Sequence, residues 1–475
     1  MRINRLFIKL HRMLGSLLSI LFLMWFLTGM VMMYHTYPSV SQKDVVSHAE
    51  RIEAGSLLPV DSLPARAEAI TLERRGNAEV YRMRMADEEQ LVEAHTGKAA
   101  QPLSEAMLRQ TAARWGGDQP QLLDTLHAID VWLIGAMPFQ EYPIYHYSLG
   151  DTRKSEVYVS SRTGRVLQFT DRSSRFWACV GAIPHWIYIT GLRAHGRQPW
   201  TDTVLWISGF GIAMVALGLV VGIRSMVVAR RRRRLTPYVK SAFRVHHVFG
   251  LFFGLFVLTW IFSGYMSLAD APKAVWPVHD DHSARQLYAD TLHTSLFTLD
   301  VNHVAAAYDA RCVELMEMGG RPFYHVWTAD DDFLVDAADS TVRTVVLDTA
   351  FCCNVVEKAF RASCPIKATA MDRYDNYYVS QKHTLPLPVI EVETDDADRC
   401  AYYINPRNGS CRYYNTNRRV GKWMYSGLHA FNTSFFARHP LLRKSLLWLL
   451  LLGGTVVSAT GVVLTLRRLR RKKSK

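Results

Sequence analysis

Polar and apolar residues divide this chain on two scales. On the coarse scale, Met13–Met33, Thr203–Ile223, Val248–Leu268 and Ser445–Leu466 contain no Asp, Glu, Lys or Arg. Each is about 20 residues long, the length at which a helix spans a hydrocarbon core. The pattern therefore predicts four transmembrane helices. Two polar regions, 36–199 and 270–442, lie between the first and second helices and between the third and fourth, and each is long enough to bury a core of its own. On the fine scale, Leu103–Trp115 has helical spacing, and EVYVSSRTGRVLQFT from Glu156 alternates around a Thr-Gly turn as a hairpin does. The same signals recur around Asn302–Tyr308 and Ala401–Tyr414, so each polar region reads as a small α+β module. The predicted order is a first helix with a basic N-terminus (1–35), outer domain one (36–199), helix two (200–224), a basic loop (225–245), helix three (246–269), outer domain two (270–442), and helix four with a basic tail (443–475).

Charge orients this arrangement. Arg2, Arg5, Lys9 and Arg12 precede the first helix, Arg224, Arg230–Arg234, Lys240 and Arg244 join the second to the third, and Arg467–Lys475 trail the fourth. No acid occurs before Asp44, between Asp202 and Asp270, or after Arg443. Such an excess marks cytoplasmic segments, which puts both termini inside and both large domains outside. The net charge of +14 is then a topological signal at the membrane ends, and it does not point to nucleic acid. The first apolar run is longer than a secretory h-region and no A-x-A site follows it, so it reads as an uncleaved anchor. Six cysteines, Cys312, Cys352, Cys353, Cys364, Cys400 and Cys411, fall in the second outer region, as an oxidising exterior allows. Cys400 and Cys411 flank a strand–turn–strand pattern whose spacing admits a disulfide, whereas no CxxC pair suggests a metal site.

The chain is also a tandem duplication. LHRMLGSLLSILFLMWFLTGM from Leu10 aligns with VHHVFGLFFGLFVLTWIFSGY from Val245, pairing His11 with His246, Gly15 with Gly250, Trp25 with Trp260, Thr28 with Ser263 and Gly29 with Gly264. YRMRMADEEQLVEA from Tyr81 parallels YHVWTADDDFLVDA from Tyr324, VYVSSRTGRV from Val157 parallels YYINPRNGSC from Tyr402, WIYITGLRA from Trp186 parallels WMYSGLHA from Trp423, and GLVVGIR from Gly218 parallels GVVLTLR from Gly461. Each half crosses the membrane twice, so the copies share one orientation and a pseudo-twofold along the membrane normal is expected.

One stripe on each opening helix carries unusual chemistry. At about 100° per residue, His11, Gly15, Leu18, Phe22, Trp25 and Gly29 fall within about 40° of one line, as do His246, Gly250, Phe253, Val257, Trp260 and Gly264. An imidazole, then glycines, then aromatics suit a flat apolar cofactor such as b-type haem, whose iron takes one imidazole from each side. Close helix packing is the competing explanation for the glycines. His247 lies about 100° off the stripe and ranks below His246. For a second haem at the outer end the candidates are His35, His185, His195, His429 and His439. His185 and His429 sit in aromatic segments just before helices two and four and form the favoured pair, with His35 as one ligand, or no outer haem, as the alternatives. Electron transfer through haem requires no catalytic side chain, and Tyr374, Tyr377, Tyr378, Asp395 and Asp396 are the outer residues that could meet a substrate, each with an ordinary structural explanation.

LHRMLGSLLSILFLMWFLTGM, AIPHWIYITGLR, HHVFGLFFGLFVLTWIFSGYMS, DRYDNYY and GLHAFN together resemble the PepSY-associated transmembrane family, over nearly the whole chain. The resemblance implies a bacterial inner-membrane protein with two periplasmic PepSY-like α+β domains on a four-helix bundle. Within that family, ferric-siderophore reductases contain haem, so the likeness implies one or two haem b groups and periplasmic reduction of a ferric siderophore or other ferric chelate. His11, His185, His246, His247 and His429 match histidines typical of the family pattern. The partners expected are membrane lipid and the ferric chelate so implied, in a monomer or a homodimer. Because no GxGxxG follows a cytoplasmic strand and the basic loops are too short for a nucleotide domain, a quinol or separate reductase would supply electrons. The cysteine-rich second domain departs from the family pattern. Two other readings compete: a haemless PepSY-type envelope binding or regulatory protein, which has no need of paired histidines, and a transport-associated protein, which the lack of charges within the spans disfavours.

Overall fold

A computed structural model describes the chain except residues 1, 65, 87, 137–140, 195, 232, 281, 361–365, 474 and 475, together with the side chains of 2–4 and 471–473. Four long helices, α1 (Arg2–Met32), α2 (Gln198–Arg230), α3 (Ser241–Met266) and α4 (Pro440–Lys473), are each long and apolar enough to cross a membrane. Both α1 and α3 pack on α2 and on α4, which leaves α1 and α3 at opposite corners of a four-helix bundle. Phe22, Phe26, Val257 and Trp260 are buried at its centre. Lipid tails are as apolar as these side chains, so tight packing must hold such helices together. Glycines on α2 and α4 make the packing possible: a Cβ at Gly454 would lie 2.3 Å from the Phe26 ring, and one at Gly453 would lie 2.3 Å from that of Phe253.

Outside the bundle the two halves meet in one antiparallel sheet of seven strands, in the order Thr344–Val345, Asp332–Asp336, Arg321–Trp327, Cys312–Met318, Ala69–Arg75, Ala78–Arg84 and Glu89–Glu93. The duplicated strands Ala69–Arg75 and Cys312–Met318 pair with each other through Leu72 and Val313, antiparallel, which is the pairing a twofold axis normal to the sheet generates. A single core follows, with Ile70, Leu72 and Tyr81 from one half packed with Val313, Tyr324 and Val326 from the other. The hydroxyls of Tyr81 and Tyr324 occupy equivalent places, donating to Leu58 O at 2.7 Å and Leu299 O at 2.8 Å.

Each half adds a four-stranded antiparallel sheet. The first comprises Gln121–Leu126, Ile144–Ser148, Glu156–Ser160 and Val166–Thr170, with the hairpin where the alternation predicts it. Helix Glu105–Ala113, capped by Ser104 on Met107 N, lays Leu108 and Ala112 on Tyr147, Val157 and Val159. The second sheet comprises Ile366–Met371, Val389–Thr394, Ala401–Ile404 and Cys411–Tyr414 and is covered by helix Thr349–Phe360 through Cys352, Val355 and Val356. That helix is therefore the counterpart of Glu105–Ala113. The segment expected in that role, observed as Val301–Tyr308, leads into the central sheet instead. The disulfide allowed between Cys400 and Cys411 is also corrected. Cys411 pairs with Ile404, four residues beyond Cys400, both thiols are free, and Cys400 Sγ lies 3.1 Å from Tyr413 Oη. Cys364 lies outside the described residues.

Candidate functional site

At the domain end of the bundle, two short helices bring histidines against α1 and α3. Ala182–His185 packs on α1, entering over Gly181, where a Cβ would lie 2.8 Å from Val31 Cγ1. Trp25 Nε1 donates to His185 O at 2.9 Å and fixes the segment to α1. In the second half a π-helical turn, Trp423–Gly427, followed by Leu428–Ala430, packs on α3 in the equivalent way. The rings of His185 and His429 then face each other with centroids 6.3 Å apart.

Their hydrogen bonds assign the tautomers. His185 Nδ1 lies 2.9 Å from Thr28 Oγ1, and the Thr28 hydroxyl donates its one hydrogen to Met24 O at 2.8 Å. Oγ1 must therefore accept from Nδ1–H. His429 repeats the arrangement with Ser263, 2.9 Å from Oγ, whose own hydrogen goes to Trp260 O at 2.8 Å. Two residues past each histidine the backbone turns through left-handed space, at Ile187 (φ 53°) and Phe431 (φ 50°). For bulky residues this conformation costs ~1–2 kcal/mol each, and such strain concentrates at functional sites.

The opposite, basic end repeats the design with different acceptors. His11 and His246, on α1 and α3, also have ring centroids 6.3 Å apart. His11 Nδ1 donates to Met214 O at 2.9 Å, and His246 Nδ1 donates to Val457 O at 3.1 Å with Thr460 Oγ1 at 3.0 Å. A carbonyl only accepts, so both Nδ1 atoms carry the proton. Gly218 gives His11 its place: a Cβ there would lie 2.6 Å from His11 Cε1. All four histidines thus have Nδ1 anchored, and no hydrogen bond among the described residues engages any Nε2. Seventeen residues separate His11 from Thr28 and likewise His246 from Ser263, ~25 Å of helix at ~1.5 Å per residue.

Which group would two such pairs suit? Among the described residues no cluster of three or more His, Cys, Asp or Glu could hold a bare ion, which needs about four to six ligands. A group that brings its own equatorial ligands needs only two from the protein. Two imidazoles bound through one nitrogen each at ~2 Å from a shared metal place their ring centres ~6 Å apart, which both pairs match. Metal-ligating imidazoles also characteristically donate their second nitrogen to a carbonyl or hydroxyl, as all four do here. The stripe glycines differ between the halves: a Cβ at Gly250 or Gly264 would meet nothing within 4 Å, whereas one at Gly29 would lie 3.3 Å from Leu451 Cδ2 and one at Gly15 3.9 Å from Met214 Sδ. The residues fit haem.

The remaining sequence candidates lie elsewhere. His247 is buried against α2, with Nε2 3.0 Å from Gly222 O, and does not face His11. His35 stacks on Trp177 with centroids 4.3 Å apart, and His439 Nδ1 lies 2.8 Å from Phe435 O. His195 lies outside the described residues. Tyr374 and Tyr378 pack beside the second outer sheet, donating to Leu385 O and Pro386 O, and Asp396 accepts from Cys400 N and Thr394 Oγ1. Tyr377 and Asp395 instead line a cavity. The repeat alignment pairs Thr28 with Ser263, and in sequence neither shows a role. Their recurrence opposite two repeated histidines was the available signal.

Fold and site together define a four-helix membrane-protein class with a facing histidine pair at each end of the bundle. The chain matches no protein-family model and no curated protein.

Proposed function

We propose that this chain is a di-haem electron-transfer protein of a bacterial inner membrane, with PepSY-like domains in the periplasm and both termini in the cytoplasm, that reduces a ferric siderophore or another ferric chelate. The observation that carries this reading is the pair of matched sites, His11 with His246 and His185 with His429, each with anchored Nδ1 and free Nε2 atoms. Haem b, when bound, supplies one-electron chemistry at each site. The chain's own work is to hold four imidazoles in fixed tautomers and to exclude water. Thr28 and Ser263 orient the outer ligands, and the carbonyls of Met214 and Val457 orient the inner ones. Phe22, Phe26 and Trp260 fill the apolar space between the two ends. A quinol or a separate reductase must donate the electrons, because the basic loop of 225–245 is too short to form a nucleotide-binding domain. Reduction frees iron because Fe(II) binds hard oxygen chelators weakly.

Absorption spectra of the purified protein before and after dithionite test the reading. A sharp α-band of six-coordinate b haem is expected, and His11→Ala and His246→Ala should each remove the same roughly half of it. Protein that stays colourless when expressed with ample haem would refute the proposal.

A further inference from the structure

The second outer sheet carries an open cavity of about 810 Å³, within the size range of small-molecule sites. Helix Thr349–Phe360 covers one face of that sheet. On the other face, Glu391 and Glu393 point the same way along their strand, Lys367 sits opposite Glu393, and Tyr403 sits opposite Glu391. Asp395 and the segment Thr416–Trp423 complete the wall, through Arg419 and Trp423. Trp423 also begins the π-turn that delivers His429, six residues on. The cavity wall is therefore within ~9 Å of helix from the outer histidine pair.

The first half shows how the same surface looks when closed. His146 stands where Glu391 stands, each opposite a tyrosine, Tyr158 or Tyr403. Arg175 and Arg419 are each the fourth residue after a helix cap, Asp171 or Asn415. In the first half Glu156 joins them, with His146 Nε2 at 3.0 Å and Arg175 Nη2 at 3.1 Å, and His146 stacks on Tyr158. The position of Glu156 is taken in the second half by Ala401, opposite Glu393. With that link deleted, Arg419 turns onto the Tyr377 ring, 5.1 Å away, and donates to Arg399 O. Glu391, Glu393 and Asp395 are left without an ion pair among the described residues. Asp375 on the same wall is occupied by Tyr403 Oη and two backbone N–H groups. The wall carries four carboxylates, Asp375, Glu391, Glu393 and Asp395, against three cations, Lys367, Arg399 and Arg419, in a protein whose net charge is +14.

We propose that this cavity, lined by Glu391, Glu393, Asp395, Tyr403 and Trp423, is the docking site for an iron(III) chelate of zero or positive net charge. The proposal concerns binding and rests on the electron-transfer reading for its choice of ligand. Carboxylates without an ion pair accept hydrogen bonds from ammonium or amide groups on the rim of such a chelate, Glu391 beside the Tyr403 hydroxyl among them, and the aromatic rings cover its apolar arms. An anionic chelate meets like charge.

The test uses the full-length protein in detergent and redox-inert gallium(III) in place of iron. The probes are a gallium(III) tris-hydroxamate bearing one ammonium group and a gallium(III) tris-catecholate of charge −3, with binding followed by calorimetry. The cationic chelate should bind, and Glu391→Gln and the exposed Glu393→Lys should each weaken it about tenfold, the value of one charge-assisted hydrogen bond. The catecholate should bind no better than tenfold more weakly. Unchanged affinity in Glu393→Lys, or equal binding of both chelates, would overturn the docking site even in haem-replete protein. Because gallium is not reduced, colourless protein that still discriminates the chelates would support the site while removing the electron-transfer reading.

Discussion

The two halves of this protein agree inside the bundle and diverge outside it. Within the bundle His11 matches His246, His185 matches His429, Thr28 matches Ser263, and Ile187 matches Phe431 in both position and backbone twist. Outside, equivalent strand positions of the two halves hold different chemistry: Arg82 in one and His325 in the other, His146 and Glu391, Glu156 and Ala401. A pseudo-twofold explains the contrast. Where residues of both halves must face one another across the axis, each copy is needed. On an outer surface that only one half presents, either copy is free to change.

The largest expected effect probes how equal the inner pair really is. Gly218 and Gly461 are repeat counterparts, but a Cβ at Gly218 would lie 2.6 Å from His11 Cε1, whereas one at Gly461 would lie 3.7 Å from His246 Cε1. Gly218→Ala must push the imidazole off Met214 O, while Gly461→Ala adds only ordinary contact. Dithionite difference spectra should therefore show loss of about half the b-haem signal in Gly218→Ala and nearly all of it retained in Gly461→Ala. Equal behaviour of the two would mean that the crowding at Gly218 is relieved by a small shift of the helices.

A smaller effect distinguishes the outer halves. Arg82 is held between Glu73 at 3.0 Å and Glu89 at 3.5 Å, and its counterpart His325 between Glu314 at 3.1 Å and Asp332 at 3.0 Å. Arginine stays charged across the accessible range, but histidine does not. Burial opposes the charge on His325, yet the hydrogen bonds to Asp332 and Glu314 outweigh it and hold the pKa at about 9. A folded value above the unfolded one, ~6.5, means a contribution that is complete below ~6.5 and lost as pH rises through about 9. Burial likewise works against Glu314 and Asp332, but their bonds to His325 lower both pKa values, so their contribution is lost only as pH falls through those depressed values. Stability of the outer body should fall by up to ~3 kcal/mol between pH 6.5 and 10. His325→Arg should flatten that fall in a pH series of thermal unfolding, and an equally steep series in the variant would assign the loss to other groups.

How much of this was legible beforehand follows the same line between local and long-range information. The four spans and the hairpins at Glu156 and Ala401 are local periodicities, and all are present. Helical phase ranked His246 above His247, and His246 is the one that faces His11. The shared seven-stranded sheet was not legible, because pairing Leu72 with Val313 joins residues far apart in sequence, and alternation does not name a strand's partner. The glycines that admit Phe26 and Phe253 lie on α4, not on the stripes of α1 and α3, since a helix's own pattern does not show which neighbour's ring it receives. The ion pairs that Glu156 makes in the first sheet have no counterpart at Ala401 in the second, a difference visible only once register aligns the two sheets.

The smallest effect concerns the left-handed turns. Ile187 at φ 53° carries a β-branched side chain in a conformation that favours glycine. Ile187→Gly should relieve ~1 kcal/mol of strain while adding ~0.5–1 kcal/mol of unfolded-chain entropy, so thermal stability should hardly change. Phe431 is a poorer site for the same experiment because its ring also packs on the bundle core. If the turn exists to aim His185 at His429, relaxing it should still loosen the outer pair, seen as a broadened outer-haem signal in low-temperature electron paramagnetic resonance with the inner signal unchanged. A loss of several kcal/mol of stability in Ile187→Gly would instead mean that the isoleucine side chain is held there for packing, and that the matched twist of the two halves is inherited geometry with no part in positioning the ligands.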